Sequence, residues 1–87
     1  LKPGVPEVAN DLAVALDFAG RRTDAIAMYR KALRLVPDSV LTRLNLANAL
    51  GQTGQAAEAL EQYRQALNAL TRKGRHRIIK AVFAFDQ

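Results

Sequence analysis

The chain has 87 residues, no cysteine and a formal net charge of +5. This length allows one small domain with a modest hydrophobic core. The lack of cysteine excludes disulfides, thiolate zinc sites and cysteine nucleophiles, and no apolar run approaches the ~20 residues that a membrane-spanning helix needs. These features name no compartment, although they favour a cytoplasmic location.

The positive charge is concentrated at the C-terminal end. Residues 1–71 contain 8 basic and 7 acidic side chains, whereas residues 72–87 contain 5 basic and 1 acidic side chain. A basic tail does not indicate a nucleic-acid-binding body, and the basic residues do not alternate with aromatic residues as single-strand binding would require. We therefore expect no nucleic-acid partner.

The first predicted element is a helical hairpin. Pro6 suits the first turn of a helix, where its missing N–H is not needed, and this helix should run to about Phe18. Gly20 marks the turn that follows. Thr23 is then the expected N-cap of the second helix, and Pro37 ends it.

A second hairpin follows with the same construction. Asp38 or Ser39 can cap a third helix over about residues 40–50. Gly54 marks the next turn, and a fourth helix is predicted over about residues 55–70. Each hairpin has an apolar face that it cannot cover alone, so its stability should come from stacking on its neighbour.

The two hairpins share one sequence pattern, which recurs after 34 residues. The matched pairs are Leu12/Leu46, Ala13/Ala47, Leu16/Leu50, Gly20/Gly54, Ala25/Ala59, Tyr29/Tyr63 and Ala32/Ala66. A fixed period of this length is typical of stacked helical repeats.

These residues resemble the tetratricopeptide repeat (TPR) family. Its signature small residues fall on Ala13, Ala25 and Ala32 and on their counterparts one period later, and its closing proline falls on Pro37. Thr71 stands in that place in the second unit. The resemblance implies an all-α superhelix with one unit over residues 6–39 and another over 40–73. Residues 1–5 would be the tail of a preceding repeat or an N-terminal arm.

Residues 74–87 depart from the repeat and are predicted to form a separate helix after Gly74. Apolar residues recur there at helical spacing, which favours a cap over the exposed face of the fourth helix. Two alternatives are contact with anionic lipid and docking onto a second copy or a partner helix. Arg75, Arg77 and Lys80 are candidate basic contacts in either case.

No residue pattern indicates catalysis or a cofactor. His76 has no second histidine or cysteine with which to hold a metal ion. Ser39 is better explained as a helix cap than as a nucleophile, and the carboxylates are spread over different helices without pairing. We expect neither an enzyme nor a bound cofactor.

The resemblance implies recognition of a protein partner. In this family the first helix of each hairpin lines a concave groove that holds a peptide or a partner helix. The residues placed there are Asn10, Asp11, Val14, Phe18, Leu44, Asn45, Asn48 and Gln52. We expect Asn45 and Asn48 to be the main contacts, because an amide can both donate to and accept from a peptide backbone.

Two other functions remain open at this point. The exposed ends of a short array could join copies into a homo-oligomer. Alternatively, the segment could be an accessory domain of a larger enzyme.

Overall fold

The computed structural model describes the backbone of residues 4–85 and the side chains of residue 4 and residues 6–72. Within this range the chain forms four α-helices: α1 (Val5–Phe18), α2 (Arg22–Leu35), α3 (Val40–Gln52) and α4 (Ala56–Phe85). Short turns pair α1 with α2 and α3 with α4, and α2 packs against α3. The prediction of an all-α helical repeat is confirmed. None of the helices in the described range is both long enough and apolar enough to cross a membrane.

Both hairpin turns depend on a glycine in the left-handed region. Gly20 has φ of 82° and Gly54 has φ of 83°. In the first turn Arg21 N donates to Leu16 O at 2.8 Å, and in the second Gln55 N donates to Leu50 O at 2.9 Å. These bonds satisfy carbonyls that a helix end would otherwise leave unpaired. The two turns are therefore identical in construction, as the sequence period indicates.

Replacing Gly54 with alanine should destabilise the fold by about 1 kcal/mol or more, because a Cβ is unfavourable at this φ. The matched control is Gly51→Ala, where an added Cβ would lie 4.0 Å from the Ala59 Cβ, an ordinary contact. Gly51 lies inside α3, so this change should stabilise by up to about 1 kcal/mol. Chemical denaturation measures both, and shifts of the same sign would contradict the described turn.

The starts of α2 and α3 differ. The Ser39 side chain caps α3 by accepting from Thr42 N at 3.3 Å. The prediction that Thr23 caps α2 is wrong, because the N-cap is Arg21 and Thr23 lies within the helix. The glycine turn is short enough that α2 begins at Arg22, before Thr23 is reached.

Ser39→Ala should therefore lower the free energy of unfolding by about 1 kcal/mol, since it removes the cap. Thr23→Ala serves as the control and should be neutral or slightly stabilising, because Thr23 is an exposed residue of the first helical turn and alanine is the better helix former. Urea titrations of the two variants test this. A larger loss from Thr23→Ala would contradict the assignment of the caps.

The core lies where the two hairpins meet. The largest fully buried side chains are Tyr29, Leu46 and Leu50, which come from α2 and α3. Ala13 and Ala25 are completely buried where α1 and α2 cross. A large side chain at either alanine would force the helices apart, so small residues are required there.

The fourth helix is longer than predicted. It runs without a break from Ala56 to Phe85, so the expected helix end near residue 70 and a separate helix after Gly74 are not found. The reason lies at Thr71, which stands where Pro37 ends α2. A proline would interrupt the helix, whereas the Thr71 hydroxyl donates to the carbonyls of Leu67 and Asn68 at 3.0 Å each. A single Gly74 costs only about 1 kcal/mol within a helix and does not end it.

A candidate partner-binding groove between α1 and α3

A cavity of about 340 Å³ lies between the first helices of the two hairpins. The side chains around it come from α1 and α3, with two more from α2 beneath them. They are Val14, Asp17, Phe18, Arg22, Tyr29, Asn45, Asn48 and Gln52. We call this set the α1–α3 groove.

Helical spacing explains why these residues share one surface. Positions three and four apart on a helix lie on the same face. Val14, Asp17 and Phe18 have this spacing on α1, as do Asn45, Asn48 and Gln52 on α3. Stacking of the two hairpins then places the two faces on either side of the cavity.

Three side-chain amides line the α3 side of the groove. Asn45 is half-buried, whereas Asn48 and Gln52 are exposed. Among the described side chains, none of the three is hydrogen-bonded to another protein group. They therefore present unused donors and acceptors to the cavity.

A large apolar side chain stands on the α1 side. Phe18 is 90% exposed, the most exposed of the large hydrophobic residues that the structure describes. Val14 is half-buried beside the core. Exposing an aromatic ring to this extent gains nothing for the isolated fold, because burial is what stabilises such side chains.

An ion pair lies at the base of the groove. Arg22 Nε is 3.3 Å from Asp17 Oδ1. This nitrogen is buried and the approach of the carboxylate does not have hydrogen-bonding geometry, so Arg22 Nε has no acceptor among the described residues. The Arg22 side chain is still 42% exposed, and its guanidinium can reach a ligand in the cavity.

Tyr29 of α2 also lines the groove. Burial, and secondarily the nearby charge of Asp17, raise the pKa of Tyr29 to about 12. Both causes oppose formation of the phenolate. Tyr29 is 2% exposed, so its ionisation would place a charge inside the core.

This pKa predicts a loss of stability at alkaline pH. The folded state holds the Tyr29 proton more tightly than the unfolded chain, whose tyrosine pKa is about 10. The stabilisation is therefore fully present below pH ~10 and is lost between about pH 10 and 12, by roughly 2–3 kcal/mol. Denaturation at stepped pH measures this, with Tyr29→Phe as the control. An equally steep decline in Tyr29→Phe would contradict the assignment.

Not all the residues predicted for the groove lie in it. The cavity brings together Val14, Phe18, Asn45, Asn48 and Gln52. The other three expected groove residues, Asn10, Asp11 and Leu44, do not line this cavity.

Asn10 and Asp11 lie instead at a separate cavity of about 270 Å³ near the start of α3. There Asn10 Oδ1 accepts from the Thr42 hydroxyl at 3.1 Å, and Thr42 in turn accepts from Ser39 at 3.0 Å. The amide of Asn10 is thus already used to join α1 to α3. Leu44 is 39% exposed and lines neither cavity.

The candidate basic contacts Arg75, Arg77 and Lys80 have side chains outside the described residues. The backbone places all three within α4.

Comparison with known proteins decides the family. A family model described as a tetratricopeptide repeat matches residues 19–77. The chain belongs to the tetratricopeptide repeat family. A solved structure titled "MamA MSR-1 C2" is similar at 32% sequence identity and a TM-score of 0.75, over 78% of this chain and 39% of that chain. The chain thus spans about two fifths of that protein. No curated protein matches.

Tetratricopeptide repeat proteins are in general protein-interaction scaffolds without catalytic activity. Within the described residues, no group of acidic or histidine side chains is arranged to hold a metal ion. The low pKa of Glu61, about 2, comes from the hydrogen bonds of Arg64 and then Gln65 on the same exposed helix surface. The perturbed carboxylate therefore belongs to a surface ion pair and not to a cleft.

Sequence reasoning missed three groove residues: Asp17, Arg22 and Tyr29. A signal for Asp17 was present, because it lies three residues after Val14 and therefore on the same face of α1. Arg22 and Tyr29 belong to α2, which the family pattern places behind the groove. Their access depends on the gap between α1 and α3.

Proposed function

We propose that this tetratricopeptide repeat chain is an interaction module that binds an extended peptide or a partner helix in the α1–α3 groove. The observation that carries the proposal is the set of unpaired amides of Asn45, Asn48 and Gln52, which face the exposed Phe18 ring across one cavity. We propose no catalytic step for it.

The amides suit recognition of a main chain. Each side-chain amide can donate to a peptide carbonyl and accept from a peptide N–H. Because the donors and acceptors of a peptide recur along its length, amides at successive turns of α3 can bind it without requiring one particular sequence. Groups already exposed to water give a modest gain per bond, of about 0.5–1.5 kcal/mol.

Phe18 and Val14 would supply the apolar part of the contact. Aromatic residues are enriched where interfaces gain most of their binding energy. A partner with an apolar side chain opposite Phe18 would remove much of this ring from water. Interfaces combine such an anchor with surrounding polar contacts.

The groove has no net charge at neutral pH, because Asp17 and Arg22 are its only charged residues and have opposite signs. The exposed part of the Arg22 guanidinium can donate to a carbonyl or carboxylate of the partner, whereas its buried Nε lies 3.3 Å from Asp17 Oδ1. A strongly charged partner is not favoured by this pair.

The test is selection of peptides from a random library on the wild-type chain, followed by affinity measurements. An Asn45→Ala, Asn48→Ala variant should bind the selected peptides about tenfold or more weakly, because two amide contacts are lost. Asn68→Ala is the matched control, since it removes an exposed amide of α4 outside the groove.

Far-UV circular dichroism should show equal helicity in all three proteins. If the double variant binds the selected peptides as tightly as the wild type, the partner does not lie in the α1–α3 groove and the proposal fails.

A further inference from the structure

The outer side of α4 carries an unusual amount of exposed apolar surface. Leu60, Tyr63, Leu67 and Leu70 are 68%, 42%, 59% and 53% exposed, respectively. They lie three or four residues apart and therefore form one stripe. We call this stripe the tail face.

The chain itself shows what such a stripe binds. One period earlier, the counterparts of Leu60 and Tyr63 are Ile26 and Tyr29, which are only 8% and 2% exposed. These two residues are buried in a cluster with Leu46 and Leu50 of α3. This part of the stripe on α2 is thus covered by the first helix of the next hairpin, and Leu33, the counterpart of Leu67, is partly buried against the same cluster.

The opposite end of the chain carries the matching helix face. Val8 and Leu12 of α1 are 50% and 47% exposed, and Ala15 is also exposed. We call these three residues the head face. Their counterparts in α3, one period later, are Thr42, Leu46 and Ala49, which are 5%, 1% and 0% exposed.

The two ends of the chain also carry residues of opposite charge at equivalent positions. Within the chain, Arg30 Nη1 bonds to Glu58 Oε2 at 2.7 Å and joins α2 to α4. Moving this pair by one period gives Arg64 (30 + 34 = 64) and Asp24 (58 − 34 = 24). Both are exposed and have opposite charge, and each is paired with a residue three positions before it in the sequence, Asp24 with Arg21 and Arg64 with Glu61.

One contact between the hairpins is polar, whereas apolar residues occupy the equivalent positions at the two ends. The hydrogen bond between Thr42 and Asn10 joins α3 to α1. The corresponding pair at a junction of two copies would be Val8 and Leu44, both of which are exposed. Leu44 thus lies on the side of α3 that would meet another first helix, which agrees with its absence from the groove.

We propose that the tail face of one copy binds the head face of a second copy, so that copies stack head to tail in the register of the two hairpins. No described segment of the same chain takes this place, because residues 74–85 continue α4. Such an interface joins different surfaces and adds copies without a fixed limit unless the array closes. The proposal is independent of the α1–α3 groove.

Sedimentation equilibrium over a range of concentrations tests the wild-type chain first. The mean mass should keep rising beyond that of two copies as the concentration increases. A single-copy mass throughout, or a plateau at two copies, would overturn the proposal.

Two substitutions separate the faces. Leu67→Glu damages the tail face and Leu12→Glu damages the head face, and either should weaken self-association by about 30-fold or more, as a charge at the centre of an interface does. An equimolar mixture should recover a 1:1 complex. The intact tail of Leu12→Glu then binds the intact head of Leu67→Glu, and neither free end can add another copy.

Asn68→Glu is the control for an added charge on α4, because its counterpart Arg34 stays exposed beside α3; it should associate as the wild type does. A two-fold pairing of α4 helices would give a different result, with Leu12→Glu still dimeric and no recovery on mixing. That result would also overturn the proposal.

Exchanging two charged residues tests the same interface without altering the apolar residues of the head and tail faces. Arg64→Asp and Asp24→Arg should each weaken association by about two- to fivefold, the usual size of an exposed ion-pair effect. Mixing the two variants restores opposite charges at every mixed junction, so association should recover. If the mixture is no stronger than either variant alone, Arg64 and Asp24 do not meet.

Discussion

Tyr29 and Ile26 lie at the junction of the two hairpins, where α3 covers the outer side of α2. Burying side chains of this size contributes about 1.5–3 kcal/mol each, a large share of the stability of so small a domain. Without this contact each hairpin would expose its apolar stripe to water, and an isolated pair of helices is marginal. The angle at which α3 rests on α2 also decides which side of α3 faces α1.

The groove follows from that arrangement. Once α3 rests on α2, its next face comes opposite α1, and Asn45 and Asn48 lie across the cavity from Phe18. The open faces of α1 and α4 follow from it as well. Side chains such as Leu12 and Leu60 are exposed there, because no other described residue covers them as α3 covers α2. The proposed groove for a partner and the proposed surfaces for a second copy are therefore two consequences of a single packing geometry.

Much of the fold could be predicted because its signals are local. The turns are marked by Gly20 and Gly54, and the end of α2 is marked by Pro37. The spacing of apolar residues identifies the helices between them. The end of α4 could not be predicted from Gly74, because glycine weakens a helix without ending it and no proline replaces Thr71. Asn10 and Leu44 were misplaced for another reason: the rotation of each helix within the stack divides its surface between groove and neighbour, and that rotation is set by tertiary packing.

The most direct measurement compares the two tyrosines, which occupy the same place in successive repeats. Tyr29 is 2% exposed and Tyr63 is 42% exposed. Limited nitration of the dilute chain, followed by mass spectrometry of the tryptic peptides ending at Arg30 and Arg64, reports their access separately. Stacking of α3 on α2 predicts that Tyr63 is modified readily while Tyr29 is protected. Equal modification of both would show that the two hairpins are not stacked as described, and would contradict the account.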